Sequence, residues 1–437
     1  MRTAIVLFTR DLRLHDNPAL STAAHEAERI VPLFVFDDAI LGSAFARPNR
    51  VTFLLDALRD LDASLTRRGV RLVLRSGDVV AETLALAREV GAEAMFVAED
   101  ASGYAQRRQR LLEEACRGDR IAVRATPGVT VAPLRSLETS SGGYYSVFTP
   151  FYRAWSRLAA RPVEPAPLRL STPAGLSRGR LPAPNRFVAG RPSPELPPGG
   201  ETAGRRKLAA WLHSGVAGYD PGRDDLAADA TSRLSPYLHF GCISPLEVAH
   251  RAGEVAGAAP FVRQLAWRDF FHQLLAARPE TAHEEMRPRG DQWSSDSDGL
   301  QAWKNGETGY PIVDAGMRQL LHEGYMHNRA RLITASFLVH DLRVDWRAGA
   351  RHFFDWLVDG DVANNVGNWQ WVAGTGANPR PGRAFNPLRQ ARRFDPDGAY
   401  VHRYVPELAT IEGRAVHEPW KLRENTTGYP KPIVDRP

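Results

Sequence analysis

Ala4-Ile5-Val6-Leu7-Phe8 is an unbroken apolar run near the start of the chain. An alternating pattern would mark a strand with one wet face; a continuous one marks a strand buried on both. Four more apolar runs follow: Ile30 to Phe36, Val70 to Leu74 (broken only by Arg71), Ala94 to Val97 and Ile121 to Val123. Helix-length segments separate them, among them Arg50 to Arg68 and Tyr104 to Arg117. Strand–helix alternation predicts an α/β domain over residues 1–128, a parallel sheet with helices on both faces. Ligands on such sheets bind beyond the carboxyl ends of the strands. The loops Thr9 to Asn17, Asp37 to Arg50 and Ala98 to Tyr104 are therefore candidates.

The composition then changes. Ten of the 32 prolines fall between Pro162 and Pro198. Proline fixes φ and lacks a donor, so no long helix or central strand is expected here. Residues 129–200 read as an interdomain linker and 201–437 as a helical domain. In the latter Pro311 opens a helix: Val313, Met317, Leu320 and Leu321 share a face, and Gly324 stands at a C-cap position. Nine of the ten tryptophans lie between Trp211 and Trp420. They read as an aromatic core or a site for a flat ligand. Tyr310 to Asp314 (YPIVD) nearly recurs as Tyr429 to Asp435 (YPKPIVD); with no repeat around it, the recurrence reads as coincidence.

The bulk numbers agree with this outline. A chain of 437 residues is long for one core, and 43% hydrophobic with 24% charged residues marks a globular protein. A net charge of +6 favours polyanionic partners such as nucleic acid. Two cysteines, Cys116 and Cys242, allow neither a disulfide framework nor a CxxC metal site, which fits a reducing cytoplasm. The apolar start is too short for a signal peptide, and no stretch reaches the ~20 apolar residues of a membrane helix.

Familiar catalytic signatures are missing: there is no GxGxxG after the first strand, no Walker loop, no HExxH and no nucleophile elbow. His239, His272, His283, His322, His327 and His340 lack metal-ligand spacing and read as structural, so no metal site is expected. So little acid–base apparatus suggests chemistry borrowed from a cofactor. Three segments stand out. Thr231-Ser232-Arg233-Leu234-Ser235-Pro236 offers hydroxyls at a helix start, either a phosphate cradle or a simple N-cap, the N-cap being favoured. Gln264 to Phe270 (QLAWRDF) is the second. Leu357 to Trp371 (LVDGDVANNVGNWQW) is the third; polar, helix-poor residues between apolar flanks suggest a buried network that protein or ligand groups must satisfy.

On these segments the sequence resembles the photolyase–cryptochrome family, most of all its bacterial class I enzymes for cyclobutane pyrimidine dimers. The resemblance runs from TRDLRLHDNPAL (Thr9 to Leu20) to PKPIVD. It is carried most specifically by TSRLSPYLHFG, WRDFF, TGYPIVDAGMRQL, GYMHNRARLITASFLVHDLRVDWR and DGDVANNVGNWQW. It implies a Rossmann-like antenna domain followed by an all-α domain holding FAD, active in its reduced anionic form. By position, Tyr219, Thr231, Ser232, Arg233, Leu234, Ser235 and Phe261 match the cofactor-binding set. Arg331 and Asp359 match an ion pair beside the flavin ring; Gly360 and Asp361 continue the contact, and Asn365 matches the residue facing flavin N5. A neutral amide there serves either protonation state of N5, whereas an Asp would repel an anionic ring. Trp369, Trp346 and Trp293 match an electron-hopping chain. Trp267 and Trp371 match the aromatic walls around a flipped dimer. Arg223, Arg268, Asn328, Arg329 and Arg383 join the lesion and DNA set, with Arg380, Arg389, Arg392 and Arg393 as further phosphate contacts.

The chain departs from the family pattern at Gln264, where many dimer photolyases have Glu, and at Leu332, where Met is common. His327-Asn328 replaces the histidine pair of six-four photolyases and points to cyclobutane dimers. Two cysteines cannot hold the iron–sulfur cluster of some members. The resemblance also implies an antenna chromophore near Phe34, Asp37, Arg50, Glu99 and Asp100. It favours 8-hydroxydeazaflavin, with methenyltetrahydrofolate, FMN or no chromophore as the alternatives. The reading is a monomeric, light-driven carbon–carbon lyase acting on dimer-containing DNA. The rival is a cryptochrome-type photoreceptor; the lack of a long tail after the last shared motif favours repair.

Overall fold

The computed structural model describes residues 1–377, 384–422 and 428–435. These fall into two compact units, one of Met1–Arg191, Pro197–Ala217 and Ser232–Ala282, the other of Pro192–Leu196, Gly218–Thr231 and His283–Pro437. The grouping cuts across the composition change near residue 200.

The first unit holds β1 (Thr3–Leu7), β2 (Arg29–Asp37), β3 (Val73–Gly77), β4 (Ala94–Ala98) and β5 (Ala122–Thr126). All pair in parallel in the order β3-β2-β1-β4-β5, with Ile5 opposite Val31 and Met95. The apolar runs predicted this sheet, and β1 and β4 are wholly buried. The edge strands begin later than the runs that announced them. Val70 N–H bonds Leu65 and Ile121 N–H bonds Cys116, so each run first closes the preceding helix. Each edge strand then continues into mixed-polarity residues such as Arg75 and Arg124.

Local chemistry sets the helices. In α1 (Pro18–Glu26) Asn17 caps Leu20 N–H and Pro18 opens the first turn. The helices α2 (Pro48–Thr66), α3 (Val79–Val90) and α4 (Gly103–Gly118) follow β2, β3 and β4. Asp78 and Ser102 cap α3 and α4. The proline-rich stretch contains one 3₁₀ turn, Pro184–Arg186. It runs along the β3 edge, where Leu74 N–H bonds Arg178 O at 2.7 Å and Leu170 N–H bonds Arg68 O at 2.7 Å. The first of these bonds covers a donor that an exposed edge would offer to another chain. Gly179, at φ +72°, lies so close to the Leu74 carbonyl that a Cβ would overlap it.

A buried cation ties distant parts of this unit together. Arg13, fully buried, donates to the carbonyls of His15, Asp16, Gly128 and Gly241. Beside it Glu201 accepts from Leu14 N–H, and Ser244 donates to Asp16. The unit also contains α5 (Phe148–Trp155) and α6 (Ala259–Ala277).

The second unit has no strand among its described residues. Its main helices are α7 (Pro311–Glu323), α8 (Asn328–Ser336), α9 (Trp346–Trp356) and α10 (Val362–Ala373). Gly324 ends α7 in the left-handed conformation, as its position predicted. The core gathers Trp303, Val313, Met317, Phe337, Trp346, Phe353 and Trp369. The near-repeat is no coincidence in space. Tyr429 donates to Asp314 and Tyr310 donates to the Val434 carbonyl, so each copy's tyrosine holds the end of the other. Among the described residues no helix is long and apolar enough to cross a membrane.

Candidate functional site

Residues 357–371 carry the densest set of matched residues. The expected helix-poor network is instead largely α10. Asp361 overrides the poor helix propensity of the asparagines by capping it: Oδ1 accepts from Asn364 N–H at 2.9 Å and from Asn364 Nδ2 at 2.8 Å. Gly374, left-handed, closes the other end. Just upstream, Arg331 Nη2 donates to both oxygens of buried Asp359, at 3.1 and 2.9 Å. Arg331 Nε donates to Met326 O at 2.8 Å, and the guanidinium lies over the Tyr325 ring. The ion pair that the resemblance implies is therefore present, with its cation steered from α8.

Asn365 is half-buried and donates Nδ2 to Ala350 O at 2.9 Å. Its Oδ1 is left to accept a hydrogen bond. One turn further on, the Trp369 ring packs against Gly349 so closely that a Cβ there would overlap it. Gly349 and Trp346 are three residues apart on α9, hence on one face. Trp369 and Trp346 thus meet the same stripe of α9, and Trp293, partly buried, packs on the same core. Tyr219 and Thr231 also belong to this unit. Burial pushes the Tyr219 hydroxyl up to about 12, against the opposing pull of Arg223, so it stays a donor at neutral pH.

In the first unit the segment after Thr231 differs from its expected N-cap. The helix Ser235–His239 is five residues long, with Leu234 at the N-cap position and no side chain bonding into it. Ser232 Oγ instead accepts from Leu234 N–H at 3.4 Å, Thr231 Oγ1 lies 3.5 Å from the Tyr325 hydroxyl, and Arg233, between Ser232 and Leu234, takes a left-handed φ of 49°. On α6, Gln264 and Trp267 stand three residues apart and half-exposed on one face, with Phe261 buried a turn earlier. Among the described residues the Gln264 amide bonds no protein group. Trp267 is stacked from behind by Phe148, with ring centroids 3.6 Å apart and planes 7° apart. Opposite this face Asp269, buried, accepts from Ala132 N–H and from Trp155 Nε1 at 2.9 Å each. Arg268 does not join the open face: its guanidinium donates to Val129 O at 2.6 Å and Leu238 O at 3.3 Å.

The carboxyl ends of the strands gather the antenna candidates. Asp37 caps the short helix Asp38–Leu41 and accepts from the Tyr104 hydroxyl. Burial raises the carboxyls of Asp37 and Glu99. Phe34 lies edge-on to Phe36, Arg50 Nε donates to Phe45 O at 2.9 Å, and Arg10 pairs with Asp100 at 3.2 Å. The sequence reading missed Tyr104 and Arg108. Their i, i+4 spacing at the start of α4 was the available signal. Burial lowers the Arg108 pKa against the pull of Asp100 and Asp37, and among the described residues its Nε has no hydrogen-bond partner.

The basic candidates divide. Asn328 is exposed at the first turn of α8, whose N-cap is the His327 ring. Arg329 pairs with Asp224 at 2.7 Å and Arg223 with Asp220 at 3.2 Å. Arg389, Arg392 and Arg393 are exposed on one helix, Arg392 being paired with Glu418. Arg380 and Arg383 lie outside the described residues. Among the described residues no group of three His, Cys, Asp or Glu could hold a metal.

Two family models match the chain: "DNA photolyase" over residues 4–169 and "FAD binding domain of DNA photolyase" over residues 261–437. A Streptomyces griseus protein named deoxyribodipyrimidine photo-lyase is 51% identical, covering 100% of this chain and 97% of that protein. Among solved structures, a class III photolyase from Agrobacterium tumefaciens matches at TM-score 0.93 and 35% identity, covering 100% of this chain and 95% of the other. A Synechocystis cryptochrome matches at TM-score 0.91 and 28% identity, covering 100% and 97%. A relative this similar over its whole length, on a parallel-sheet and helical architecture with the Arg331–Asp359 pair in place, establishes that the chain belongs to the DNA photolyase family.

Proposed function

We propose that this chain is a deoxyribodipyrimidine photo-lyase that splits cyclobutane pyrimidine dimers in DNA, with FAD as its working cofactor. The observation that carries the choice of substrate is the open face of α6. It offers an aromatic plane at Trp267, stiffened from behind by Phe148, next to the unengaged amide of Gln264. A dimer flipped out of a damaged strand needs a stacking surface and a group that reads its polar edge. Gln264 can donate from its amide nitrogen and accept at its oxygen, but it cannot give a proton.

The donor set in the helical unit fits a flavin. Arg331 and Asp359 present a charge pair rather than a bare charge, and the open Oδ1 of Asn365 can accept from a ring N–H. The neutral Tyr219 hydroxyl is a donor suited to a phosphate oxygen. The phosphate-side role of Thr231 to Ser235 and the contact by Phe261 rest on the family match. When bound, reduced FAD absorbs blue light and supplies the electron that opens the dimer. Trp369, Trp346 and Trp293 relay electrons between the core of the helical unit and its periphery. Trp371, Asn328, Arg223 and Arg329 join the lesion and DNA contacts, together with the basic helix bearing Arg389 and Arg393.

The strand-end loops suit a second, light-harvesting chromophore. Buried Arg108 and Arg50 favour an anionic flat ring, which accords with 8-hydroxydeazaflavin over a neutral occupant. We assign residues 1–128 to this antenna domain, 129–200 to the linker and 201–437 to the FAD and lesion-binding domain, in a cytoplasmic monomer.

One measurement tests the proposal: absorption of the purified protein and of a thymine-dimer oligonucleotide, before and after blue illumination of the mixture. A flavin spectrum and loss of dimer are expected. A flavoprotein that neither repairs dimers nor prefers them over undamaged duplex would be the cryptochrome-type photoreceptor instead.

A further inference from the structure

The three matched tryptophans do not have equivalent surroundings. Of these three, only Trp346 donates its indole N–H to a protein acceptor among the described residues. Nε1 reaches Glu285 Oε1 at 3.2 Å. The Glu285 side chain is 13% exposed and Trp346 is 1% exposed, so the contact is shielded from water. The loop bearing Glu285 is itself fixed. Gln370, on α10 next to Trp369, donates Nε2 to Glu284 O at 2.8 Å and accepts from Met286 N–H at 2.9 Å. The flanking backbone is thus held on both sides of the carboxylate by the helix that carries the first tryptophan. The Arg347 guanidinium lies 4.7 Å from the Trp346 ring centroid. It is also 3.6 Å from Glu285 and 3.3 Å from Asp345.

From this arrangement we infer that Glu285 sets the energy of the middle station of the hopping chain, stabilising Trp346 while it is short of an electron. The inference rests on the reading of Trp369, Trp346 and Trp293 as that chain. One electron leaves the Trp346 ring and fills the hole on Trp369, which has lost its own electron to photoexcited oxidised FAD. Trp346 then carries a positive charge, its N–H proton remaining on nitrogen. The bond to Glu285 changes from neutral donor and anionic acceptor to a fully charge-assisted pair, which strengthens most where water is excluded. An electron from Trp293 restores Trp346, so the net change is one electron gained by flavin and one lost by Trp293. Arg347 acts against the hole, because a cation over an aromatic face disfavours a second positive charge in the ring. Glu285 is a positioning residue in this account: it acts through Trp346 and touches neither flavin nor substrate.

The test uses the FAD-loaded protein with oxidised flavin and follows light-driven flavin reduction together with the transient absorption of the tryptophan radical. Glu285→Gln keeps the shape and an oxygen acceptor but removes the charge. It should lower the yield of long-lived radical about tenfold, the factor that corresponds to ~1.4 kcal/mol. Glu285→Asp should recover part of that loss. Arg347→Gln should move the yield upward, and this opposite sign separates a charge effect from a loosened fold. In ¹⁵N-tryptophan-labelled protein, the indole N–H resonance of Trp346 should shift in Glu285→Gln without illumination. Trp369→Phe in the same assay guards the underlying reading: if it leaves photoreduction intact, the chain itself is misassigned. If Trp369→Phe abolishes photoreduction while Glu285→Gln leaves the radical yield unchanged, or if the Gln variants of Glu285 and Arg347 both lower it, the role of Glu285 is overturned.

Discussion

Single side chains at the site do work that their neighbours make possible. Trp267 alone would be a half-exposed indole free to tilt; the parallel Phe148 ring behind it fixes the plane it offers. Trp267→Ala should weaken binding of a thymine-dimer oligonucleotide roughly tenfold or more, from ~1–3 kcal/mol of lost stacking. Undamaged DNA, held mainly through phosphates, should lose far less. Phe148→Ala should reproduce part of that loss with Trp267 still present, as fluorescence-anisotropy titration would show. Gln264→Glu should hold or raise the repair yield per absorbed photon, since an acid restores a proton the amide lacks; a fall would remove Gln264 from the lesion edge. The sequence displayed the residue types here but not their partners. Trp267 was legible from its motif. Phe148, more than a hundred residues upstream, and Arg108 were not, because nothing local marks a residue whose importance comes from tertiary contact.

Elements were legible where cap chemistry and apolar period agreed, as for α7 with Pro311 at its start and Gly324 at its end. They were misread where one residue outweighed local composition. The asparagine-rich stretch looked helix-poor, yet Asp361 and Gly374 bound a twelve-residue helix. The edge strands began late because their first apolar residues serve the preceding helix. The contact of α9 with α10 is the tightest of these lessons. Gly349 lets the Trp369 ring lie directly on the α9 backbone. Gly349→Ala should destabilise the fold by about 1–3 kcal/mol through overpacking. It should also slow flavin photoreduction, because the ring must move away from the stripe it shares with Trp346. Thermal melting and steady illumination of the oxidised flavoprotein would check the two effects separately.

At the scale of the whole molecule, residues far apart in the chain close each unit. The clasp of Tyr310 to Asp314 with Tyr429 to Asp435 places a carboxyl in the core of the helical unit, where Asp314 accepts from Thr308, Gly309 and Tyr429. Burial raises that carboxyl from 3.8 to about 6. Its folded pKa lies above its unfolded one, so the folded state holds the proton more tightly. Between about pH 6 and pH 4 its contribution therefore becomes more favourable as pH falls, and above pH 6 it is at its least favourable. Asp314→Asn should remove this dependence, seen as a change in the difference between urea midpoints at pH 7 and pH 5. A reading by motif could list both copies of YPIVD but not see that they touch. The same long-range closure governs how the molecule is made. The five strands lie within residues 3–126, yet buried Arg13 awaits the carbonyl of Gly241, and its neighbours await Glu201 and Ser244. At ribosomal speeds the interval between Gly128 and Gly241 is on the order of ten seconds. For that time the Arg13 guanidinium has the carbonyls of His15, Asp16 and Gly128 but lacks that of Gly241, which completes its set. Chains halted near residue 130 should be protease-sensitive and bound by chaperones, and those in which the unit has emerged through Ala282 should be less so.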